Sequence, residues 1–112
     1  MNFLDFQNNS HRSNIVWHGT KLEQPDWGND SRSLAFTLRH PKFNEHLYII
    51  LNAYWQPLTF ELPLLSSGEG WHRIVDTALP SPQDFSDLKT APLITSQEYL
   101  AEGRSVVVLI AR

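Results

Sequence analysis

The chain has no cysteine, a single methionine and no apolar run long enough to cross a membrane. Without thiols neither disulfide bonds nor thiolate metal sites can form, which is compatible with a reducing compartment without proving one. A membrane-spanning helix needs about 18 or more consecutive apolar residues. The first ten residues also lack the basic start and apolar core of a signal peptide. We therefore expect a protein without membrane association that is not exported by a recognisable route.

Positive charge is also scarce, since 9 Lys and Arg against 12 Asp and Glu give a net charge of −3. The signs are scattered, so no basic footprint for a phosphate backbone is present and nucleic acid is not an expected partner. The five histidines show no zinc-ligand spacing, and Gly68-Glu69-Gly70 lacks the lysine and following helix of a phosphate loop. The sequence predicts neither a metal site nor a cofactor.

No segment longer than about two turns has a convincing helical period. Short apolar stretches separated by turn signals roughly every 8 to 12 residues instead predict an all-β fold, an antiparallel β-sandwich of six to eight strands with Greek-key connections. A length of 112 residues suits one domain. We expect residues 1–14 to be a flexible leader or linker and residues 15–112 to be the sandwich.

The segment 47–62 organises this prediction. Two apolar faces alternate along its first half, so this strand is expected at the centre of a layered structure. One face holds Leu47, Ile49, Leu51 and Ala53, and the other holds Tyr48, Ile50, Asn52 and Tyr54. The return strand 58–62 and a turn at 54–57 complete a predicted β-hairpin.

Further strands are predicted at 15–19, 33–39, 71–76 and 104–111, with weaker candidates at 92–94 and 98–100. A single helical turn is expected at 83–88. In the segment 33–39 the larger apolar residues Leu34, Phe36 and Leu38 are expected to face inward, with Ala35 and Thr37 turned outward.

Aromatic residues are abundant, with four Trp, three Tyr and six Phe. Most are expected in the core, because large rings fill the space between two sheets. Exposed rings can instead stack on the C–H faces of sugars, and Trp27, Tyr54 and Trp55 are the candidates for carbohydrate binding. Trp55, at a predicted turn, is the foremost of them, and packing against neighbouring loops or another domain is its alternative role.

Catalytic chemistry has little support in the sequence. Asp26 and Asp30 flank Trp27, and two carboxylates beside an aromatic ring are what a glycosidase requires. In a loop rich in Asn, Gly and Ser, however, such acids more often bind backbone N–H groups. Ser81 and Ser105 lack the glycine elbow of an activated nucleophile. No catalytic residue is predicted.

Six collinear blocks resemble the C-terminal domain of isoamylase-type glycogen and starch debranching enzymes of the α-amylase superfamily. They are Trp17-His18-Gly19, Gln24-Pro25-Asp26-Trp27, Asp30-Ser31-Arg32-Ser33-Leu34-Ala35-Phe36, Asn52-Ala53-Tyr54-Trp55, Val75-Asp76-Thr77 and Arg104-Ser105-Val106-Val107-Val108-Leu109. The resemblance implies an antiparallel β-sandwich behind a catalytic (β/α)8 barrel, in an enzyme that hydrolyses α-1,6 branch linkages. It also implies a cytoplasmic location, or the plastid stroma in a photosynthetic eukaryote.

The catalytic acids of that family lie in the barrel, which needs about 200 residues and is not part of this chain. The resemblance therefore implies a non-catalytic domain that stabilises a catalytic barrel in cis or in trans. Trp17, His18 and Trp27 would lie near the junction and are candidate docking residues. The alternative is an α-glucan-binding module that acts through Trp27, Tyr54 and Trp55.

Overall fold

The computed structural model describes residues 14–24, 32–40 and 45–112, and within these ranges it contains seven strands and no helix. The strands are β1 (Asn14–His18), β2 (Ser33–His40), β3 (Glu45–Asn52), β4 (Leu58–Glu61), β5 (Trp71–Asp76), β6 (Glu98–Ala101) and β7 (Ser105–Ala111). β-branched and aromatic residues dominate the longer ones, as their fit to a pleated surface requires.

Two antiparallel sheets make up the sandwich. The larger has the order β1-β2-β3-β7-β5, and the smaller pairs β4 with β6. The all-β fold predicted from the turn spacing is thus confirmed, and so is the central place of β3, which has two strands on either side. After β3 every connection between consecutive strands crosses from one sheet to the other.

The predicted hairpin over residues 47–62 is wrong, because its two strands lie in different sheets. The side chain of Asn52 donates to the carbonyl of Gln56 (3.1 Å), which bends the chain across the sandwich before β4 can pair with β3. β3 and β4 are joined by a side-chain hydrogen bond and not by backbone pairing, since the Tyr48 hydroxyl donates to the carbonyl of Glu61 (2.9 Å) across the two layers.

The core lies between the two sheets. Its fully buried large side chains include Tyr48, Ile50, Val107 and Leu109 from the larger sheet and Phe60 from the smaller one. Trp71 joins them edge-on to Tyr48, with ring centroids 5.9 Å apart, and its indole N–H donates to the carbonyl of Pro63 (2.9 Å).

The predicted orientation of β2 is also wrong. Ala35 and Thr37 are buried against the smaller sheet, whereas Leu34, Phe36 and Leu38 on the opposite face are only half-buried. The His18 ring from β1 stacks on the Tyr48 ring from β3, 5.8 Å away, and therefore passes over β2. Only small side chains fit beneath the two rings, and this selects the face of β2 that carries Ala35 and Thr37.

Residues 83–94 run along the outer edge of β5 in place of the predicted helical turn. Phe85 forms an antiparallel bridge with Val75, and Leu93 forms one with His72. These backbone bonds occupy an edge that would otherwise be open to pairing with another chain.

The Val75-Asp76-Thr77 block fastens the far end of β5. The Asp76 carboxylate accepts hydrogen bonds from the Tyr99 hydroxyl and from the N–H of Ala78 (3.1 Å), and it is buried. Burial, together with the bond to Asp76, raises the pKa of Tyr99 to about 12. Tyr99 therefore stays a hydrogen-bond donor at neutral pH and links the smaller sheet to β5.

Candidate functional site

The face of the larger sheet that points away from the smaller sheet is called the outer face here. Strand registers align its side chains in three rows across the strands. The rows are Trp17, Phe36, Ile49, Val108 and Val75; Leu34, Leu51 and Val106; and Ile15, Leu38, Leu47, Ile110 and His72. Apart from His72 every member is apolar. A sheet face turned to water normally carries polar side chains at these positions, so the outer face has the composition of an interface.

The edge segment 83–94 extends this face. Because Phe85 and Leu93 bridge Val75 and His72, they continue two of the rows beyond β5. Phe85 is 65% exposed and Leu93 54% exposed, and in the central strand β3 Leu51 is 39% exposed. An apolar surface of this kind, rather than single scattered residues, marks a binding region.

Of the predicted docking residues, Trp17 lies on the outer face, where its ring is tilted against that of Phe36 with centroids 5.3 Å apart. His18 lies on the opposite face and is only 3% exposed. Trp27 falls outside the described residues. The structure thus brings Trp17 together with the apolar rows and separates His18 from them.

His18 has a structural environment that defines its tautomer. The N–H of Glu23 donates to Nδ1 (2.7 Å), so Nδ1 carries no proton and Nε2 is the N–H that faces the Thr37 hydroxyl at 3.4 Å. Burial lowers the pKa of His18, and the nearby charge of Glu23 opposes this in part. The neutral ring thereby holds the chain that follows β1.

That chain, residues 19–24, is called the strap. It crosses from β1 to the free side of β4, where the N–H of Glu61 donates to the carbonyl of Thr20 (2.9 Å) and the N–H of Leu22 donates to a carboxylate oxygen of Glu61 (2.9 Å). The strap is therefore attached to His18 through Glu23 and to β4 through the two hydrogen bonds with Glu61.

Beneath the strap a groove of about 410 Å³ opens between the layers, with Val16, Arg39, His46 and Leu64 among its lining residues. His46 packs edge-on against Trp71, with centroids 5.1 Å apart. Burial lowers the pKa of His46, the Arg39 charge lowers it further, and Glu69 raises it in part. His18 also lines this groove, so both His18 and His46 are neutral at neutral pH.

At the other end of the larger sheet, Asn52 controls the connection that carries Tyr54 and Trp55. Its amide nitrogen lies 3.1 Å from the carbonyl oxygens of Gln56, Ala101 and Glu102, and its amide oxygen accepts from the N–H of Tyr54 (3.1 Å). Asn52 is 2% exposed. One buried side chain therefore satisfies backbone groups from two connections.

The two connections, residues 53–57 and 102–104, interlock. The N–H of Arg104 donates to the carbonyl of Tyr54 (2.9 Å). A Cβ atom on Gly103 would lie 2.3 Å from the carbonyl oxygen of Trp55, so only glycine permits this approach. Arg104 has a φ of 55°, the left-handed conformation that completes the turn. The segment 53–57 with residues 102–104 is called the aromatic turn below.

Trp55 projects from the aromatic turn with 65% of its surface exposed, while Tyr54 beside it is half-buried. Their rings lie 5.8 Å apart and are tilted by 45°. Two of the three predicted carbohydrate-binding residues therefore form one aromatic pair, in which Trp55 is the exposed member, and the third, Trp27, lies outside the described residues.

The described residues contain no group of three or more His, Asp or Glu side chains placed to hold a metal ion. Within the same residues no helix is long and apolar enough to span a membrane. Asp26 and Asp30, the carboxylates weighed for a glycosidase role, lie outside the described residues.

Sequence reasoning overlooked four residues that build these surfaces, namely Asn52, Phe85, Leu93 and Gly103. A signal existed for Asn52, because an amide at the end of an apolar strand needs buried partners. Gly103 was visible as the glycine of the turn before β7. Phe85 and Leu93 gave no periodic signal, since isolated bridges align them with the sheet.

Comparison with known proteins identifies the family of this chain. The family model described as "Isoamylase 1-3, C-terminal" matches residues 16–105. Isoamylase SU1, chloroplastic, of Zea mays is 38% identical over 71 residues, which is 63% of this chain and 9% of the relative. Isoamylase 2, chloroplastic, of Arabidopsis thaliana is 36% identical over 89 residues, covering 65% of this chain and 10% of the relative. The chain thus spans about a tenth of these relatives, and it belongs to the isoamylase C-terminal domain family.

Proposed function

We propose that this chain is a non-catalytic domain that docks through its outer face on the catalytic barrel of a debranching enzyme and stabilises that barrel. The enzyme as a whole would hydrolyse α-1,6 branch linkages of glycogen or starch-type glucans. The observation that carries the proposal is the apolar outer face, which extends across all five strands of the larger sheet.

The dimensions of the outer face suit a contact between domains. Five strands about 4.8 Å apart, with rows spread over about five residues at about 3.3 Å each, give a flat area of roughly 400 Å². Interfaces between domains of one chain bury about 600 to 1,500 Å² counted over both partners, so the outer face alone supplies one side of such an interface. Burial of apolar surface is the dominant favourable term in this kind of association.

The relatives support a partner of this kind. About nine tenths of each relative lies outside the match to this chain, which leaves ample length for a catalytic domain. The barrel is proposed to lie in the same polypeptide or in a separate one, and the same face would serve in either case.

A binding experiment tests the docking proposal. The chain is mixed with a form of the maize relative from which the matching C-terminal segment has been removed, and complex formation and thermal stability are measured. We expect a complex with a raised melting temperature. Leu51→Asp and Phe85→Asp on the outer face should abolish it, because a charge buried in an apolar interface without a partner is strongly unfavourable.

Leu64→Asp is the matched control, since Leu64 is an exposed leucine that lies in the loop after β4 and not on the outer face. It should leave the complex intact. Failure of the wild-type chain to bind, or equal binding by the outer-face variants, would overturn docking through this face.

A second candidate function is α-glucan binding through Tyr54 and Trp55, with Trp27 as a further candidate. It is favoured by the 65% exposure of Trp55 at the tip of the aromatic turn. Titration with maltoheptaose, followed by the indole N–H signals of the tryptophans, tests it. Trp55→Ala should weaken binding by about 1 to 3 kcal/mol, by analogy with stacking on nucleic-acid bases, and leave the fold unchanged. Unfolding of that variant would instead assign Trp55 a packing role.

The names of the relatives bear on location. They are described as chloroplastic, so we propose a plastid compartment for this chain. Of the two compartments expected from the sequence, the cytoplasm has no support among these relatives.

A further inference from the structure

We infer that Asn52 and Gly103 are positioning residues for Trp55, and that together they hold the Tyr54–Trp55 pair as a preformed platform for a curved chain of sugar rings. The inference rests on the second candidate function, α-glucan binding, and deepens it by identifying how the site is built and which glucan shape it accepts.

Asn52 holds the backbone of the aromatic turn. Asn52 binds the connection on both sides of Trp55, through the N–H of Tyr54 and the carbonyl of Gln56. The same amide binds Ala101 and Glu102 in the neighbouring connection. One buried side chain therefore fixes the backbone on both sides of Trp55.

Gly103 leaves room for the Trp55 carbonyl. A Cβ at position 103 would lie 2.3 Å from the carbonyl oxygen and 2.6 Å from its carbon, so any larger residue would displace the turn. The contact is with backbone and not with a flexible side chain, so the turn cannot relax around it. Gly103 therefore fixes the position from which the indole projects.

A fixed aromatic turn favours ligand binding. A ligand that must order a loop loses affinity, and a loop held in its bound conformation avoids this loss. The pair is flanked by the exposed polar side chains of Gln56, Glu102 and Arg104, which can donate to or accept from sugar hydroxyls. Aromatic rings and flanking polar groups are the combination that a pyranose, with apolar faces and polar edges, requires.

The tilt of the two rings selects among glucans. Planes inclined by 45° do not form one flat surface, so they contact successive rings of a chain that bends. An α-1,4-linked chain curves, whereas a β-1,4-linked chain is extended and flat. The platform should therefore bind maltoheptaose in preference to cellohexaose.

Gly103→Ala tests the inference, with Gly70→Ala as the matched control, because a Cβ at Gly70 would meet only the end of the flexible Leu93 side chain. Three quantities are measured for each protein. They are the ¹⁵N relaxation and chemical shift of the Trp55 indole N–H, the dissociation constants for maltoheptaose and cellohexaose, and the free energy of unfolding.

We expect Gly103→Ala to shift and mobilise the Trp55 indole and to weaken maltoheptaose binding by about tenfold or more, within the range of a lost stacking contact. Gly70→Ala should leave both unchanged. Should Gly103→Ala not fold, Asn52→Ser supplies the same measurement, since it shortens the side chain and removes the amide donors.

An unchanged Trp55 signal and affinity in a folded Gly103→Ala protein would overturn the positioning role. Equal binding of cellohexaose and maltoheptaose would overturn the inferred preference for a curved chain. If the wild-type chain binds neither sugar, glucan binding itself fails, whereas the indole relaxation of the variants still decides whether Asn52 and Gly103 position Trp55.

Discussion

Replacing Asn52 with alanine removes the buried amide that joins the aromatic turn to the end of β6. Four backbone groups lose a partner, namely the carbonyls of Gln56, Ala101 and Glu102 and the N–H of Tyr54. The lost hydrogen bonds dominate the change, because the side chain is short and polar and its amide nitrogen and oxygen are both engaged.

The free energy lost in Asn52→Ala depends on how deeply each of these backbone groups is buried. Ala101 is fully buried and stands in hydrogen-bonded register with Leu58 of β4, so its carbonyl loses a second hydrogen bond, at a cost of about 1 to 1.5 kcal/mol. The carbonyls of the exposed Gln56 and Glu102 and the N–H of the half-buried Tyr54 can recover water, so each contributes about 0.5 kcal/mol. We expect a total loss of roughly 2 to 3 kcal/mol, which for a domain of this size lowers the melting temperature by roughly 10 to 25 °C.

Urea unfolding followed by tryptophan fluorescence measures the change, and its denaturant dependence should stay constant if the fold is kept. Thr59→Ala, at an exposed position of β4, is the control and should stay within about 0.5 kcal/mol of the wild type. Asn52→Asp should be at least as destabilising as alanine near neutral pH, because a carboxylate would face three carbonyl oxygens, and it should recover part of the loss when protonated.

A loss below about 0.5 kcal/mol for Asn52→Ala would refute the reasoning, since it would place the amide among ordinary surface side chains. The same result would also remove the support that Asn52 gives to the position of Trp55.

Three further predictions follow from buried polar contacts. Burial keeps His18 neutral, so its contribution to stability is complete above its unfolded pKa of about 6.5 and is lost as the pH falls through its lower folded pKa. Thermal unfolding measured from about pH 7 to about pH 5 should show this loss of stability. The variant His18→Asn keeps an acceptor for the Glu23 N–H and should reduce the pH dependence. Tyr48→Phe leaves the Glu61 carbonyl without its donor and should destabilise the fold by about 1 to 2 kcal/mol in urea, with an unchanged burial pattern by hydrogen exchange. Asp76→Asn weakens the hydrogen bond from the Tyr99 hydroxyl, because an amide oxygen is a weaker acceptor than a carboxylate. Calorimetry should show a loss of about 1 to 3 kcal/mol in the free energy of unfolding, and an unchanged value would mean that this bond does not stabilise the fold.

The fold class and most strands could be predicted from the sequence, because alternation and β-branched composition act locally. β5 matches the predicted segment 71–76, and β7 lies within the segment 104–111. Pairing between strands was harder to predict from the sequence, and the hairpin predicted at 47–62 was wrong for this reason. Whether two neighbouring strands pair or separate into two layers depends on contacts such as that of Asn52 with Ala101, 49 residues away.

The orientation of β2 illustrates a different limit. Larger apolar side chains were assigned to the interior on the assumption that one face of the sheet is buried and the other meets water. Here the interior face of β2 carries Ala35 and Thr37 beneath stacked rings, and the more apolar face points outward. The sequence identifies two apolar faces of the larger sheet. Which of them is buried within the domain depends on where the smaller sheet packs, and the sequence does not show this.

The candidate surfaces were predicted in part. Trp55 was expected to be exposed and is, whereas the resemblance placed His18 among the docking residues and the structure buries it in the core. Neighbours in sequence point to opposite faces of a strand, so Trp17 and His18 lie on different faces of the larger sheet, and their docking role stays a prediction.

The position of β7 affects how the domain folds while it is being synthesised. It follows all the other strands in the chain, yet it lies between β3 and β5 and pairs with both. A ribosome therefore releases β1, β2 and β3 as consecutive antiparallel neighbours, but β5 has no partner in the larger sheet until β7 has emerged. Such pairing between distant segments is slow and leaves apolar strand edges exposed meanwhile. A chain truncated before Ser105 would keep most of its residues and still be unable to assemble the larger sheet, and we expect it to aggregate during translation rather than fold as a smaller domain.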